Sequence, residues 1–304
     1  MTVVITGGTS FLGKYIVNAL REKNCRVIAI IRPTSKHIHV FDSYPNVKTL
    51  LYEMDDTDNW IKAIGKADYF LHLGWDGIGA TGRADATIQT KNIASAKACM
   101  KAAAILKCKA FLFAGSQAEY GVKHSVISEE MICEPVTEYG KAKLMVCHAL
   151  SELAQELDIC YYHARIFSVY GEGDHPWALV PTCIRTLCAG NDMSLSSCEQ
   201  IWNYMYATDA AEVIVELLFS EASPGVYNIA SRDTRQLKAF VQDIYTACGG
   251  NGKLLFGEHS SIEAPANLSA DISKLESVVH VIPEMPFYKA IEKMVQKYRI
   301  TGVI

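Results

Sequence analysis

The opening segment, TVVITGGTSFLGKYIVNAL at residues 2–20, constrains the fold more than any other. A β-branched apolar run leads into a glycine-rich turn, and apolar residues then recur at helical spacing. A helix that begins at such a turn directs its free N–H groups at an anion, and a pyrophosphate suits them. The pattern TGxxGxxG is met by Thr6, Gly7 and Gly13, with Ser10 in place of the middle glycine. The segment predicts a phosphate-binding turn in which the Ser10 hydroxyl donates to a phosphate oxygen.

Strands and helices alternate after this turn. Buried strands are predicted at 26–31, 68–73, 110–114 and 160–166, and long helices at 91–106 and 139–157. This order predicts an α/β fold, a Rossmann-like doubly wound parallel sheet that binds its ligand at the carboxyl ends of the strands. Looser patterns predict a smaller, discontinuous C-terminal substrate lobe, with 209–218 and 226–230 rejoining the sheet. We expect an NAD(P)-binding domain of 1–168 and 203–231 and a substrate-binding lobe of 169–202 and 232–304.

Composition excludes several classes of protein. Half of the 304 residues are hydrophobic and the net charge is −4, so no basic excess indicates a nucleic-acid partner. No apolar run approaches membrane-spanning length, and no opening segment has the layout of a signal peptide. Ten cysteines occur without a CxxC motif, and Cys183, Cys188 and Cys198 lack nearby histidines at zinc spacing. We therefore expect buried thiols, a cytoplasmic protein, no membrane partner and no metal.

The end of the second predicted strand bears on cofactor choice. A dinucleotide site usually has an acidic residue about 20 positions after the glycines, which binds the ribose 2′-hydroxyl. Ile31 holds that place, and Arg32, Ser35 and Lys36 follow it. A guanidinium beside a hydroxyl and an ammonium suits a 2′-phosphate, which favours NADP, with NAD as the alternative; a plain solvated loop is the other interpretation. Asp55, after the next strand, is expected to accept from the adenine amino group.

The candidate catalytic residues lie in the segment EYGKAK at residues 138–143. Tyr139 and Lys143 are four residues apart, so on a helix they share one face. An ammonium near a phenol lowers the phenol pKa, which makes Tyr139 a candidate proton donor and acceptor. Ser116 follows a buried strand at the edge where ligands bind, and its hydroxyl is expected to hold a substrate oxygen. The alternatives are an ordinary surface pair for Tyr139 and Lys143 and a turn cap for Ser116.

Several motifs in this order carry a resemblance: TGGTSFLG, HLGW at 72–75, Asn92, the stretch 116–121, YxxxK and ARIFSVYGEG at 164–173. With them, the chain resembles the extended short-chain dehydrogenases/reductases of the nucleotide-sugar epimerase/dehydratase group over nearly its whole length. The resemblance implies catalytic roles for Ser116, Tyr139 and Lys143, with Lys143 also on the nicotinamide ribose. It implies a cofactor site formed by Gly7, Ser10, Phe11, Leu12, Gly13, Leu73, Gly74 and the backbone near Phe167 and Ser168.

Departures from the group's pattern narrow the implied reaction. Gln117 and Ala118 stand where dehydratases carry an Asp-Glu pair, and neither can do acid–base work, so dehydration is not expected. Gln117 is instead expected beside the sugar. Trp75 replaces a small residue beside the nicotinamide, where it forms a wall of the sugar pocket or serves packing alone. Ser168 replaces an asparagine, which leaves that contact open.

The expected diphosphate contact also departs from the pattern. Trp202 takes the place of an arginine that the group usually offers to the diphosphate. We therefore expect Arg185 or Arg235 to bind the diphosphate of a nucleotide-sugar substrate.

Three functions follow from the resemblance. The first is NADPH-dependent reduction of a nucleotide-linked 4-keto sugar, and the second is 4-epimerisation through transient oxidation. The third is a non-catalytic regulator that senses NADP(H). Members of the group often dimerise through two helices, here 91–106 and 139–157, so a homodimer is expected, with Ala94, Ala98 and Ala102 permitting close approach.

Overall fold

A seven-stranded parallel sheet with helices on both faces forms the centre of the molecule. The computed structural model describes residues 1–259, 267–280 and 283–302. The strands of the central sheet, in spatial order, are β10 (Gly225–Ile229), β6 (Cys160–Ile166), β5 (Ala110–Ser116), β4 (Tyr69–His72), β1 (Thr2–Thr6), β2 (Arg26–Ile31) and β3 (Val47–Leu51). Smaller sheets consist of β7 (Ser168–Tyr170), β8 (Met193–Leu195), β9 (Ile201–Tyr206), β11 (Thr234–Gln236) and β12 (Leu254–Phe256).

Ten α-helices occur in the described residues. They are α1 (Phe11–Glu22), α2 (Thr57–Ile64), α3 (Ala80–Ala84), α4 (Ala86–Ile105), α5 (Glu138–Leu157), α6 (Leu179–Cys188), α7 (Ala207–Phe219), α8 (Leu237–Ala247), α9 (Ser273–Glu276) and α10 (Phe287–Ile300). A short 3₁₀ turn, Gln117–Glu119, follows β5. No helix in the described residues is both long enough and apolar enough to cross a membrane.

The central sheet is apolar on both faces because helices cover both. Alternate residues of β1 enter different cores: Val3 and Ile5 pack in the core that includes α1 and α7, and Val4 packs in the core that includes α4 and α5. Continuous β-branched runs suit a parallel sheet that is buried on both sides. The fold class predicted from the alternation of strands and helices is confirmed.

A third core lies outside the central sheet. It joins residues of β7, β9, α6, α8 and α10, including Tyr170, Phe240 and Phe287. Between its segments the chain returns to the central sheet, because α7 packs on α1 and β10 pairs in parallel with β6. The predicted return of 209–218 and 226–230 is confirmed. The predicted lobe includes residues 260–266, 281–282 and 303–304, which lie outside the described part.

The helix predicted at 91–106 begins earlier, at Ala86. The Asp85 carboxylate caps it by accepting from the backbone N–H groups of Thr87 and Ile88 at 2.8 and 3.1 Å. The expectation that Ala102 lies on a free face of this helix was wrong, because its side chain is buried in the core. Ala94 is exposed and Ala98 is partly exposed. Of the three alanines, only Ala94 and Ala98 can therefore contact a second subunit.

All ten cysteines are free thiols; seven are buried and three are partly buried. Burial raises the pKa of the Cys99 and Cys183 thiols. Neutral thiols in apolar surroundings behave as small hydrophobic residues, as the scattered spacing predicts.

Candidate active site

A cleft of about 700 Å³ runs along the carboxyl ends of the central strands. Its position follows from topology, because parallel strands end at one edge of the sheet and the loops after them face one another. The cleft brings together most of the predicted site residues: Gly7, Ser10, Phe11, Leu12, Arg32, Leu73, Gly74, Trp75, Ser116, Tyr139, Lys143 and Phe167.

The glycine turn forms the floor of the cleft at the start of α1. Gly7 has φ +69°, and a Cβ on it would lie 2.6 Å from the backbone of Leu73 and Gly74. A Cβ on Gly13 would lie 2.2 Å from the carbonyl oxygen of Gly7. Gly13 therefore supports the turn from behind and does not line the cleft. Glycine at position 7 lets the turn approach the segment after β4, and glycine at position 13 lets the first turn of α1 approach the Gly7 carbonyl.

Ser10 caps α1. Its Oγ accepts from the Gly13 backbone N–H at 3.1 Å, as an N-cap residue does. The hydroxyl hydrogen remains available, so the predicted donation to a phosphate oxygen is compatible with the cap. The substitution of serine for the middle glycine thus has a structural reason in the helix that follows.

Three residues of the predicted chemistry meet on one wall of the cleft. Ser116 is the last residue of β5, and Tyr139 lies in the first turn of α5. Lys143 is buried one turn later, and its Nζ donates to the carbonyl oxygen of Ala114 at 2.7 Å. Thr137 begins this helix by accepting from the Gly140 N–H at 3.0 Å, which sets the helix face that carries both side chains.

Lys143 has an unusual environment. Its Nζ lies 3.7 Å from the centre of the Trp75 ring and 5.7 Å from the centre of the Tyr139 ring. Burial lowers the pKa of Lys143 to about 7, while the charge of Glu119 acts in the opposite direction. Contact with an aromatic face stabilises the ammonium in part.

The expectation that Lys143 lowers the pKa of Tyr139 was wrong for this arrangement. Burial raises the pKa of Tyr139, and only the Ser116 hydrogen bond and the charge of Arg83 act to lower it. Desolvation of a phenolate outweighs these two effects. Tyr139 is therefore a neutral phenol near neutral pH, the form that can give a proton.

Arg83 is a residue that sequence reasoning missed. Its guanidinium lies 4.5 Å over the Tyr139 ring, and it reaches this place from α3. A Cβ on Gly82 would lie 2.4 Å from the Cα of Gly77, so the short helix folds tightly back on its own loop. No local pattern in GRADAT signals a contact with a residue that is so distant in sequence.

Trp75 lines the cleft, and its role as a wall of the sugar pocket stays a prediction. Its indole N–H donates to Oε1 of Gln89 at 2.9 Å, and its ring lies edge-on to Tyr139, with 6.1 Å between ring centres. Gln89 also donates to the carbonyl oxygen of Gly82 at 2.8 Å. The amide of a buried glutamine thus joins the tryptophan to the loop that carries Arg83.

A buried ionic network behind Ser116 was also missed. Oε1 of Glu119 accepts from the Ser116 backbone N–H at 2.8 Å, and Oε2 accepts from Nε of Arg165 at 2.8 Å. Nε2 of His163 lies 2.9 Å from both carboxylate oxygens, and its Nδ1 lies 2.7 Å from the Tyr161 hydroxyl. Two features of the sequence are the signals for this network. Glu119 stands one place after the positions where dehydratases carry an Asp-Glu pair, and His163 and Arg165 alternate along one strand.

Arg32 is at the far end of the cleft. Its Nη1 pairs with Oδ1 of Asp76 at 2.6 Å, and both side chains are half exposed. Ser35 also lines the cleft, whereas Lys36 does not. Ile31 is buried in the core beside α1, so its side chain offers nothing to a polar ribose edge.

Other predicted residues lie outside the cleft lining. Asp55 is exposed, while its neighbour Met54 lines the cleft. Gln117 and Ser168 are partly exposed beside the cleft residues Ser116 and Phe167. Their cofactor and substrate roles stay predictions.

The two arginines proposed for a diphosphate have other partners. Arg235 pairs with Asp233 at 3.0 Å and with Asp243 at 2.7 Å. Arg185 donates to the carbonyl oxygen of Pro176. A diphosphate would have to displace these partners, and neither arginine lines the cleft.

Comparison with known proteins places this arrangement among related chains. The model of the NAD dependent epimerase/dehydratase family matches residues 3–230. The dTDP-4-dehydro-6-deoxyglucose reductase of Escherichia coli is 26% identical over 63% of this chain, a match that spans only 62% of that reductase. The dTDP-6-deoxy-L-talose 4-dehydrogenase (NAD(+)) of Aggregatibacter actinomycetemcomitans is 24% identical over 80% of this chain and 89% of its own length. A UDP-glucose 4-epimerase from Thermotoga maritima, solved with UDP-glucose, has the same fold, with a TM-score of 0.89, 18% identity, and coverage of 99% of this chain and 100% of its own.

Proposed function

This chain belongs to the NAD dependent epimerase/dehydratase family, and we propose that within it the protein reduces a nucleotide-linked 4-keto sugar with NADPH. The observation that carries the proposal is the meeting of Ser116, Tyr139 and Lys143 on one wall of a cleft that also contains the glycine turn. Proton-transfer groups beside a dinucleotide-binding turn are what a carbonyl reductase requires.

The residues of the turn fit a dinucleotide. Gly7 and Ser10 line the cleft, so the backbone of the turn and the N-terminus of α1 face it. Backbone N–H groups and the positive end of the helix dipole suit a pyrophosphate. Bound there, NADPH supplies the hydride for the reduction. Leu73, Gly74 and Phe167 would hold the nicotinamide end.

The chain's own residues then act on the substrate oxygen. A carbonyl whose carbon gains a hydride needs a proton on its oxygen, and the phenol O–H of Tyr139 supplies it. Ser116 donates a hydrogen bond that holds the same oxygen in place. The Lys143 ammonium stabilises the phenolate left behind, although in the ligand-free protein it lies against Trp75. Arg83, over the Tyr139 ring, adds a second positive charge.

The cleft residues that would lie beside the adenosine of the cofactor favour NADP over NAD. Arg32 can offer two parallel N–H donors to a 2′-phosphate, and Ile31 offers no acceptor to a free 2′-hydroxyl. The Asp76 carboxylate now occupies one edge of this guanidinium. NADP must therefore compete with Asp76, and the preference is smaller than a free arginine would give.

The epimerase is the second candidate. The observation that favours it is the whole-chain likeness to a 4-epimerase fold, and its catalytic residues would be the same three. Reduction ranks first because two of the relatives are named for interconverting a keto sugar and an alcohol. The non-catalytic regulator ranks last, because it gives no reason for three proton-handling residues to share a cleft wall.

Product mass separates the candidates. The protein is incubated with NADPH or NADH and with a panel of nucleotide sugars and nucleotide-linked 4-keto sugars. A product heavier by two hydrogens, formed with oxidation of the reduced cofactor, supports the reductase. A product of unchanged mass and altered stereochemistry supports the epimerase. Binding of cofactor without turnover of any sugar would support the regulator and contradict both enzymes.

A further inference from the structure

We propose that Glu119 is a positioning residue for this chemistry: from behind the end of β5 it fixes the backbone at Ser116 and places a negative charge beside the strand to which Lys143 is hydrogen-bonded. The kinetic part of this inference rests on the proposed function, whereas the effect on Lys143 does not. Glu119 touches no part of the cleft, since it lines no portion of it and is fully buried.

Glu119 fixes Ser116 through a reciprocal cap. The Ser116 backbone N–H donates to the Glu119 carboxylate at 2.8 Å, while the Ser116 Oγ accepts from the Ala118 N–H at 3.2 Å. These two bonds hold the backbone and the side-chain oxygen of one residue. These bonds lie on the side of Ser116 away from the cleft, and they fix the direction in which its hydroxyl points into the cleft.

The space for this network depends on Gly115. A Cβ at this position would lie 2.3 Å from Nε2 of His163 and 2.8 Å from Oε1 of Glu119. The φ angle of Gly115 is not in the left-handed region, so the reason for glycine is space and not conformation. The ion pair packs directly against the strand that carries Ser116.

Glu119 and Lys143 both bind the end of β5, because the Ser116 N–H donates to Glu119 and Lys143 donates to the carbonyl oxygen of Ala114 two residues earlier. Among the described residues, Lys143 forms no salt bridge, and its ammonium contacts a carbonyl oxygen and aromatic rings. Burial lowers the pKa of Lys143, and the Glu119 charge is the one influence that raises it. Coulomb interactions across a buried site are screened less than at the surface, so one carboxylate can decide the protonation of this amine.

Glu119 remains ionised over the whole working range of pH. Burial would raise the pKa of Glu119, but the His163 and Arg165 charges outweigh burial and hold it at about 2. Burial would lower the pKa of His163, but Glu119 raises it to about 9. The network therefore carries one negative and two positive charges at neutral pH.

Other titratable or charged groups lie on the elements that pack against α5 and β5. They are His72 on β4, Arg83 on α3, Cys99 on α4, Tyr139 and Cys147 on α5, and Tyr161, His163 and Arg165 on β6. Burial, together with the Lys143 charge, lowers the pKa of His72 to about 3, so His72 is neutral. Burial raises the pKa of the Cys99 thiol and of the two phenols. Of the neighbouring charges, Glu119 alone acts to raise the pKa of Lys143.

A metal site is a poorer interpretation of the same cluster. Ligand atoms of Glu119, Cys147 and His163 lie within 4.8 Å of one another. Arg165 and the Ser116 N–H already occupy the carboxylate, however, and the raised pKa of His163 opposes the neutral form that binds metals.

The first test reads Lys143 directly in the ligand-free protein. Lysines are labelled with ¹³C at Cε, the Lys143 signal is assigned with Lys143→Met, and its chemical shift is followed against pH. The wild-type midpoint is expected near 7. Glu119→Gln keeps an acceptor for the Ser116 N–H and removes the charge, so the midpoint should fall by about one pH unit. Glu119→Asp keeps the charge and should stay near the wild-type midpoint.

Glu129→Gln is the matched control, because Glu129 is a partly buried carboxylate that accepts from the Asn228 N–H and makes no contact with Ser116. It should leave the midpoint unchanged. Should Glu119→Gln not fold, the double variant Glu119→Gln/His163→Gln is compared with His163→Gln, and its Lys143 midpoint should be the lower of the two. An unmoved Lys143 midpoint in a folded variant without the Glu119 charge overturns the inference.

Kinetics form the second test. Glu119→Gln should lower kcat about tenfold or more, leave KM within about twofold, and shift the upper pH limit of kcat downward. A merely structural residue would lower stability and leave this limit in place. Absence of turnover by the wild type contradicts the proposed function alone, because the Lys143 titration needs no substrate.

Discussion

At the scale of single residues, burial decides the chemistry of the site more than the pairing of Tyr139 with Lys143 does. The two side chains share a helix face, yet the ammonium contacts Trp75 and a backbone carbonyl. Burial raises the pKa of Tyr139 and lowers that of Lys143. The ligand-free protein thus holds a neutral proton donor beside an amine that titrates near neutral pH.

Tyr139→Phe tests the proton donor. The change keeps the ring against Trp75 and removes the proton, so turnover should fall by a factor of about 10² or more while cofactor affinity persists. Steady-state rates with an established substrate, together with calorimetric titration of the cofactor, measure both. Tyr69→Phe, a change in a partly buried tyrosine of β4 outside the cleft lining, is the control. Near-wild-type turnover by Tyr139→Phe would remove Tyr139 from the mechanism.

Arg32 and Asp76 test the cofactor preference together. A charge-assisted hydrogen bond contributes about 1.5–3 kcal/mol, so Arg32→Ala should weaken NADPH binding roughly tenfold and barely change NADH binding. Asp76→Asn removes the competing carboxylate, so it should strengthen NADPH binding. Calorimetric titration of both cofactors at fixed salt measures each effect. Equal affinity of the wild type for NADPH and NADH contradicts the NADP assignment.

At the scale of elements, the site is built where neighbouring strands end and turns begin. Ser116 ends β5, the glycine turn follows β1, and Trp75 follows β4. In the parallel pairing of β5 with β6, Gly115 lies opposite Arg165, and Arg165 pairs with the Glu119 carboxylate that binds the Ser116 N–H. Each functional group thus depends on the register of a strand as well as on its own identity.

The glycine turn can be tested with two matched substitutions. Gly13→Ala should abolish cofactor binding and lower the free energy of unfolding by about 2 kcal/mol or more, because the new Cβ would meet the Gly7 carbonyl. Gly8→Ala is the control, since its nearest neighbour would be 3.4 Å away and its φ is ordinary. Thermal melting and cofactor titration compare them. Equal behaviour of the two variants would show that close approach does not explain Gly13.

The ion pair between His163 of β6 and Glu119, which follows β5, should make the free energy of unfolding depend on pH. The pKa of His163 is raised to about 9 in the folded protein, against roughly 6.5 in the unfolded chain. Protonated His163 therefore adds its full contribution to the free energy of unfolding below about pH 6.5, and this contribution is lost as the pH rises through about 9. Lys143, with a lowered pKa, changes stability in the opposite direction, so the comparison must be with a variant.

The free energy of unfolding is therefore measured against pH for the wild type and for His163→Gln. The advantage of the wild type should shrink by about 2 kcal/mol between pH 6.5 and 9.5. A constant difference across this range would mean that His163 is neutral in the folded protein.

At the scale of the whole molecule, we propose that 1–168 and 203–231 form the cofactor domain and that 169–202 and 232–304 form the substrate lobe. Separate cores support this division, because Tyr170, Phe240 and Phe287 pack together away from the central sheet. Gly173 and His175, which follow β7, line the cleft beside residues of the central sheet.

We also propose a homodimer that buries the outer faces of α4 and α5. Met145 and Ile105 are 57% and 60% exposed on these helices. Met145→Lys should convert the dimer to a monomer, because a charge in an apolar helix interface is costly to bury. Ile300→Lys, at an exposed isoleucine on α10, is the control. Light scattering measures the mass in each case, and a monomeric wild type contradicts the proposal.

The sequence by itself determined the features that depend on short spacings. A β-branched run before TGGTS indicated β1, the turn and α1, and the four-residue spacing of Tyr139 and Lys143 placed them on one helix face. Alternation of apolar strands with helical periods indicated a parallel sheet with a site at its carboxyl edge. These features repeat over a few residues, so local geometry suffices to predict them.

Only the tertiary structure decided which distant residues meet. Strand order brought Glu119 to His163 and Arg165, and the short helix α3 brought Arg83 to Tyr139. The Asp233 and Asp243 carboxylates pair with Arg235. Such contacts depend on how strands and loops are arranged in space, which no periodicity records. Protonation follows the same rule, because burial and neighbouring charges act through space, and the tertiary fold alone sets both.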